Sequence, residues 1–314
     1  MMRNHSTPSK AQRLRELLAG RTVAIPGACN ALTAMQIERA GFEIVYVSGA
    51  AISAAHGLPD IGLISLTDMT REASAIARSV ALPTIVDADT GYGPPSVVRE
   101  AVQEFERAGL AGMQIEDQEE AKKCGHLSGK RLLPTAGMLA RVPAGVEAKR
   151  DRDFVLVART DARTVDGLQA AIQRGVAYAN AGADALFPEA LLSADEFHTF
   201  ALEMNRAGVH VPLIANMTEF GKTPYLSVDE FETLGYRGVL FPVSTLRVAA
   251  LAVEKLLREL RFFGSQRAWL DHMMTRQELY SLLRYEHGQN QTGRPYEPGD
   301  TRTARNENHG APPL

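Results

Sequence analysis

Cysteine is scarce in this chain of 314 residues, which has two, Cys29 and Cys124. They lie far apart, which excludes a disulfide framework and makes the reducing cytoplasm the default compartment. Aromatic residues are few, at 6%, with a single Trp. No apolar run approaches the roughly 18–20 residues that a membrane helix needs. Neither sign of charge dominates: the net charge is −3, with 23% of residues charged. That balance gives no reason to expect nucleic acid or an anionic membrane as partner. A Gly-x-Gly-x-x-Gly turn after a strand, a phosphate loop and a short-period repeat are all missing, which disfavours an open nucleotide-binding sheet. Before the first acid, Glu16, the N-terminus carries Arg3, Lys10, Arg13 and Arg15. With no secretory apolar segment there, it reads as a frayed terminus leading into a helix rather than a targeting peptide.

What the chain does have is alternation. Short β-rich apolar runs at 22–26, 43–48, 83–89, 112–117, 154–161, 185–189, 211–216 and 238–242 are followed in turn by helical patterns. Eight such runs imply parallel strands with both faces covered, and a (β/α)8 TIM-type barrel closes them most economically. Thr67 is the expected cap of a helix to Val80, and Pro143 is expected to kink or break the helix at 135–148. Past the barrel, 267–286 is amphipathic and reads as an extra C-terminal helix. The barrel and this segment, 1–286, form one domain in this reading. The Gly/Pro/Asn/Gln-rich stretch 287–314 is expected to be a disordered tail.

Polar residues gather where the runs end, and in a barrel those ends share one face. They include Tyr46 and Ser48, Asp87 and Asp89, Glu116 and Asp117, Arg159 and Asp161, Glu189, and Asn216 and Thr218. Asp87-Ala-Asp89 places two hard-oxygen carboxylates on one side of an extended segment, a pattern suited to Mg²⁺ or Mn²⁺. Glu116 could join them directly or through water; a simple strand-to-loop cap explains Asp-x-Asp equally well. Arg159 can clamp a substrate carboxylate through two hydrogen bonds or pair with Asp161 or Glu189. After the fourth run the chain presents Lys122-Lys123-Cys124-Gly125-His126. Flanking lysines favour a tuned thiol at Cys124, serving as acid or base, over an inert buried one. His126 either orients its neighbours or is structural, and the loop holds no zinc set.

Lys-Lys-Cys-Gly-His, the Val-Asp-Ala-Asp-Thr-Gly-Tyr-Gly run at 86–93 and Ala-Arg-Thr-Asp at 158–161 resemble the isocitrate lyase and phosphoenolpyruvate mutase superfamily. Within it the pattern is most similar to the branch that cleaves 2-methylisocitrate to pyruvate and succinate in the methylcitrate cycle of propionate catabolism. The resemblance spans roughly residues 20–285. It implies Mg²⁺ at Asp87 and Asp89, and contacts to a di- or tricarboxylate substrate from Ser48, Gly49, Ala50, Cys124, Gly125, Arg159, Glu189, Asn216, Thr218, Arg247 and Arg276. It also implies a homotetramer in which C-terminal helices are exchanged between subunits. On this reading Cys124 protonates a carbanion intermediate, Lys122 and His126 tune its pKa, and Tyr46 or a carboxylate takes the hydroxyl proton. The alternatives are isocitrate cleavage, decarboxylation or C–C hydrolysis of an oxaloacetate-like acid, and a non-catalytic metabolite-binding barrel.

Overall fold

The computed structural model describes residues 8–120, 122–123, 125 and 129–285. Cys124, His126 and the tail expected from 287 onward lie outside the described residues. The chain opens with α1 (Lys10–Ala19), whose cap Ser9 accepts from the Gln12 amide. The repeating units are then β1 (Val23–Ala28), α2 (Ala31–Arg39), β2 (Val45–Val47), α3 (Gly49–Ala55), α4 (Leu66–Ser79), β3 (Thr84–Asp87), α5 (Pro95–Ala108) and β4 (Gly112–Glu116). The second half adds α6 (Thr135–Ala148), β5 (Val155–Thr160), α7 (Leu168–Asn180), β6 (Ala185–Pro188), α8 (Ala194–Arg206), β7 (Ile214–Asn216), α9 (Val228–Thr233), β8 (Gly238–Phe241) and α10 (Ser244–Phe263).

All the strand pairs are parallel, in the order β6-β5-β4-β3-β2-β1-β8-β7. A parallel bridge between Leu186 and Leu213 joins the two ends, so the expected eight-stranded barrel is closed. Its strand residues obey the two-residue period of β structure. Ile25, Ile44, Tyr46, Ile85, Val155, Val157, Phe187, Ile214 and Leu240 belong to one buried core cluster, to which α1 contributes Ala11, Leu14 and Leu18. The next residues of the same parity toward the strand C-termini are Ser48, Asp87, Arg159, Glu189 and Asn216. One alternation therefore builds an apolar plug and, above it, a polar floor.

Three expectations need correction. Helix α4 is capped by Ser65, which accepts from the Asp68 amide, and not by Thr67. Helix α6 is not broken at Pro143, where a kink or a break is expected, but continues to Ala148; its Val142, Ala144 and Gly145 are buried. The expected single helix over 267–286 is two shorter pieces, a 3-10 segment Arg267–His272 and α11 (Arg276–Leu282). Thr275 forms a capping box with Glu278 and starts the second piece afresh. By their contacts the residues up to Gln266 and those from Arg267 form two compact units. Among the described residues no helix is long and apolar enough to cross a membrane.

Candidate active site

The C-terminal mouth of the barrel holds a pocket lined by Tyr46, Ser48, Ala50, Asp87, Lys122, Gly125, Arg159, Glu189, Asn216, Thr218 and Arg247, all singled out from the sequence. Arg276 belongs to the C-terminal unit, in the first turn of α11. Asp60, Phe187, Leu240, Pro242 and Val243, none of them given a role from the sequence, complete the lining.

Asp87 is fixed by three donors. Its Oδ1 accepts from the Asp89 amide (3.2 Å) and Gln114 Nε2 (3.3 Å), and its Oδ2 from the Gly49 amide (3.3 Å). A Cβ on Gly49 would sit 3.1 Å from Asp87 Oδ2 and 3.4 Å from Asp89 Oδ1. Two carboxylates therefore converge on a bare Cα, a cradle any side chain would fill. Asp89 Oδ1 makes a 2.7 Å ion pair with Lys122 Nζ, although its alignment is not that of a hydrogen bond. Lys122 Nζ also contacts Asp60. Burial raises the Asp89 carboxyl to about 6 against the pull of Lys122. For Lys122 itself, burial opposes the charge, but Asp89, Glu116 and Asp60 overcome it and hold the ammonium well above its usual range.

Among the described residues no three His, Cys, Asp or Glu side chains converge tightly enough to enclose a metal. Two aspartate oxygens with room beside them fit Mg²⁺, which keeps several waters and takes only one or two carboxylates from a protein. Glu116 has other partners: its Oε1 accepts from Gln118 Nε2 at 3.0 Å and its Oε2 lies 3.3 Å from Arg159. Burial raises its carboxyl well above the usual range despite Arg159.

Arg159 makes the pairings the sequence offered as the alternative to a clamp. Its Nε and Nη2 donate to Asp161 at 2.9 and 3.0 Å, and Nη1 reaches Glu189 at 3.5 Å. Burial works against its charge, but Asp161, Glu116 and Glu189 outweigh it. The guanidinium also lies 5.3 Å over the Phe187 ring while lining the pocket. Asn216 Nδ2 donates to both Glu189 oxygens at 3.3 and 3.2 Å, and its buried Oδ1 has no hydrogen-bond partner. Tyr46 donates to Gln114 Oε1 at 2.7 Å. Burial, reinforced by Asp87, holds its phenol well above its usual range, so near neutral pH it is a donor and not a base. Arg247, half exposed, pairs with Glu219 at 3.4 Å and stacks on Phe220 at the rim.

In the loop after β4, Gly125 comes down onto this floor. A Cβ on Gly125 would fall 2.4 Å from Arg159 Nη2 and 2.6 Å from Glu189 Cγ, so its backbone rests on the polar floor. Lys130 Nζ donates to the Gly125 carbonyl at 2.5 Å and to Asp161 Oδ1 at 2.7 Å. Behind them Asp117 accepts from Thr160 Oγ1, the Asp161 amide, the Tyr178 hydroxyl and Arg174, all within 3.1 Å.

Asp60, Gln114 and Lys130 are absent from the sequence-derived set. Gln114 has the inward parity of Glu116 and could have been found from it. Asp60 and Lys130 lie in loops, where no period marks direction.

The phosphoenolpyruvate phosphomutase family model matches residues 14–261. The 2-methylisocitrate lyase of Aeropyrum pernix is 49% identical over 273 residues, 87% of this chain and 86% of that protein. Among solved structures, 2,3-dimethylmalate lyase superposes with a TM-score of 0.82 at 35% identity, covering 88% of this chain and 92% of its own. A phosphonopyruvate hydrolase solved with oxalate and Mg²⁺ gives 0.80 at 30% identity, covering 89% and 96%.

Proposed function

The chain belongs to the phosphoenolpyruvate phosphomutase family, and from that membership we propose that it is a carbon–carbon lyase cleaving 2-methylisocitrate to pyruvate and succinate. The observation that carries the reading is the seating of Gly125, covalently joined to Cys124, on Arg159 and Glu189 inside a pocket that also contains Asp87. The residue next to Cys124 in the chain and one aspartate of the candidate metal pair thus meet at one small cavity. The identity to 2-methylisocitrate lyases selects the substrate.

Asp87 and Asp89 would hold Mg²⁺, or Mn²⁺ in its place, and the ion would acidify the substrate 2-hydroxyl and offset the charge that develops on its oxygen. Arg159, Arg247 and Asn216 orient the substrate's carboxylates and hydroxyl. The hydroxyl proton passes to a pocket carboxylate, since Tyr46 is committed as a donor to Gln114. Breaking the C–C bond leaves the bonding pair on the carbon beside the succinate carboxylate, and the Cys124 thiol delivers a proton there. Burial of the floor beneath the loop keeps competing water away from that carbanion.

The oligomer belongs to this proposal as well. The 20-residue helix α10 has no buried residue. Val248, Leu251, Val253, Leu257, Phe262 and Phe263 are each at least half exposed along it. The barrel in turn has an apolar groove lined by Pro26, Ile37, Phe42, Val228 and Phe241. The exchange expected of the C-terminal segment past the barrel would, if it takes α10 with it in a homotetramer, cover both faces.

The test is turnover of 2-methylisocitrate, isocitrate, 2,3-dimethylmalate and oxaloacetate side by side with Mg²⁺. Pyruvate and succinate from the first, at a kcat/KM well above the others, is the expected result. Faster turnover of 2,3-dimethylmalate or oxaloacetate would transfer the assignment to that substrate, and no turnover of any would leave a binding barrel.

A further inference from the structure

Lys130 is not among the residues marked by the sequence, yet its side chain is 1% exposed, nearly as buried as that of the Asp161 it meets. A lysine loses both hydration and side-chain freedom in such a place, so the position needs compensation by close partners. It has two, Asp161 Oδ1 and the Gly125 carbonyl. We propose that Lys130 is a positioning residue for the reaction: it fixes the backbone beside Cys124 to the same carboxylate that orients Arg159.

The remaining ties of the loop support the assignment by their location. Leu133 N donates to the Asp117 carbonyl, Glu119 N to the Arg131 carbonyl, and Arg174 to the Leu133 carbonyl. These close the base of the loop where it leaves and rejoins the barrel. Gln118 exchanges two hydrogen bonds with Lys123, and Lys122 reaches Asp60 and Asp89 on one side of the pocket. Lys130 acts at the end of β5, two strands away in the barrel, and holds a main-chain carbonyl, so it ties the loop to the floor there. Gly125 can lie on the floor because it lacks a side chain, and Lys130 keeps it there.

Asp161 makes the arrangement rigid. Its amide donates to Asp117 and its two oxygens receive Arg159. Lys130 shares Oδ1 with Arg159 Nη2, so loop and guanidinium are referenced to one point. Among the described residues Lys130 pairs with neither cradle aspartate, and its effect on the reaction passes through the loop.

The test compares Lys130→Met and Lys130→Arg with the wild type in the full-length enzyme. For 2-methylisocitrate, Lys130→Met is expected to lower kcat on the order of 100-fold, the scale of a misplaced reacting group, with KM changed less than about threefold. Lys130→Arg, which keeps the buried charge paired but changes the reach of the side chain, should recover about tenfold of that loss and leave kcat below the wild type. Hydrogen exchange should rise over 118–133 in the Met variant and stay unchanged in the barrel strands. If Lys130→Met fails to fold, the Arg variant carries the test through reduced kcat at constant KM and faster exchange over 118–133. Wild-type kcat, or unchanged exchange in that segment, overturns the proposal. The kinetic arm rests on the lyase reading, whereas exchange does not: absent wild-type turnover defeats only the former.

Discussion

Gly125 has no space for a side chain, since even a methyl would enter the guanidinium of Arg159 and the carboxylate arm of Glu189. Gly125→Ala should therefore lift the loop while leaving the barrel folded. The expected loss in kcat/KM is on the order of 100-fold, with far-UV circular dichroism unchanged; near-wild-type turnover would show that the loop's seat is not the working one. Glu196 offers a contrasting prediction that concerns stability. It accepts from Arg163 at 2.7 and 2.6 Å and from the Leu192 amide at 2.9 Å, and the Arg163 hydrogen bonds hold its carboxyl below the ordinary range. A depressed folded-state pKa contributes stability above the unfolded value, near 4.3, and loses it as pH falls through the folded value. Glu196→Gln should thus cost about 1 kcal/mol at pH 7, and the difference should disappear in acid. Denaturant melts at pH 7 and near pH 3 measure it; an equal penalty at both would rule out the ionic origin.

Helices α3 and α6 show what local patterns convey at the scale of an element. Ser48-Gly49-Ala50-Ala51 has no amphipathic period, so the helix that begins with Ser48 accepting from the Ala51 amide was not legible. Pro143 carried the opposite message. Its rule concerns the lost donor and the clash with the preceding turn, but Val142, Ala144 and Gly145 are buried and the helix continues through it. Pro143→Ala should stabilise the protein by about 1–2 kcal/mol, the helix-interior cost of proline less its advantage in the unfolded chain. A lower midpoint in urea would mean that the ring fills a space Ala leaves empty.

At the scale of the whole molecule, α10 presents an apolar row that a lone barrel leaves in water. Burying each large side chain contributes roughly 1.5–3 kcal/mol, and several lie on the one helix. Leu257, 56% exposed, is the choice for a disruptive charge. Leu257→Asp should shift the mass measured by light scattering from that of the proposed tetramer toward smaller species and make the thermal midpoint depend on protein concentration. An unchanged mass would place the subunit contact elsewhere.

The sequence by itself determined the barrel, because alternation of apolar runs and amphipathic helices is local and strands report their facing through a period of two. For the same reason it exposed the floor residues Asp87, Arg159, Glu189 and Asn216, each in register with core residues below. Only the tertiary structure decided what the loops contribute. Asp60 and Lys130 reach the floor from segments without periodicity, and their meaning depends on burial and on partners: 62 residues separate Asp60 from Lys122, and 31 separate Lys130 from Asp161. Charge pairing across such spans depends on which strands become neighbours, a property of the closed barrel and of no single stretch of chain.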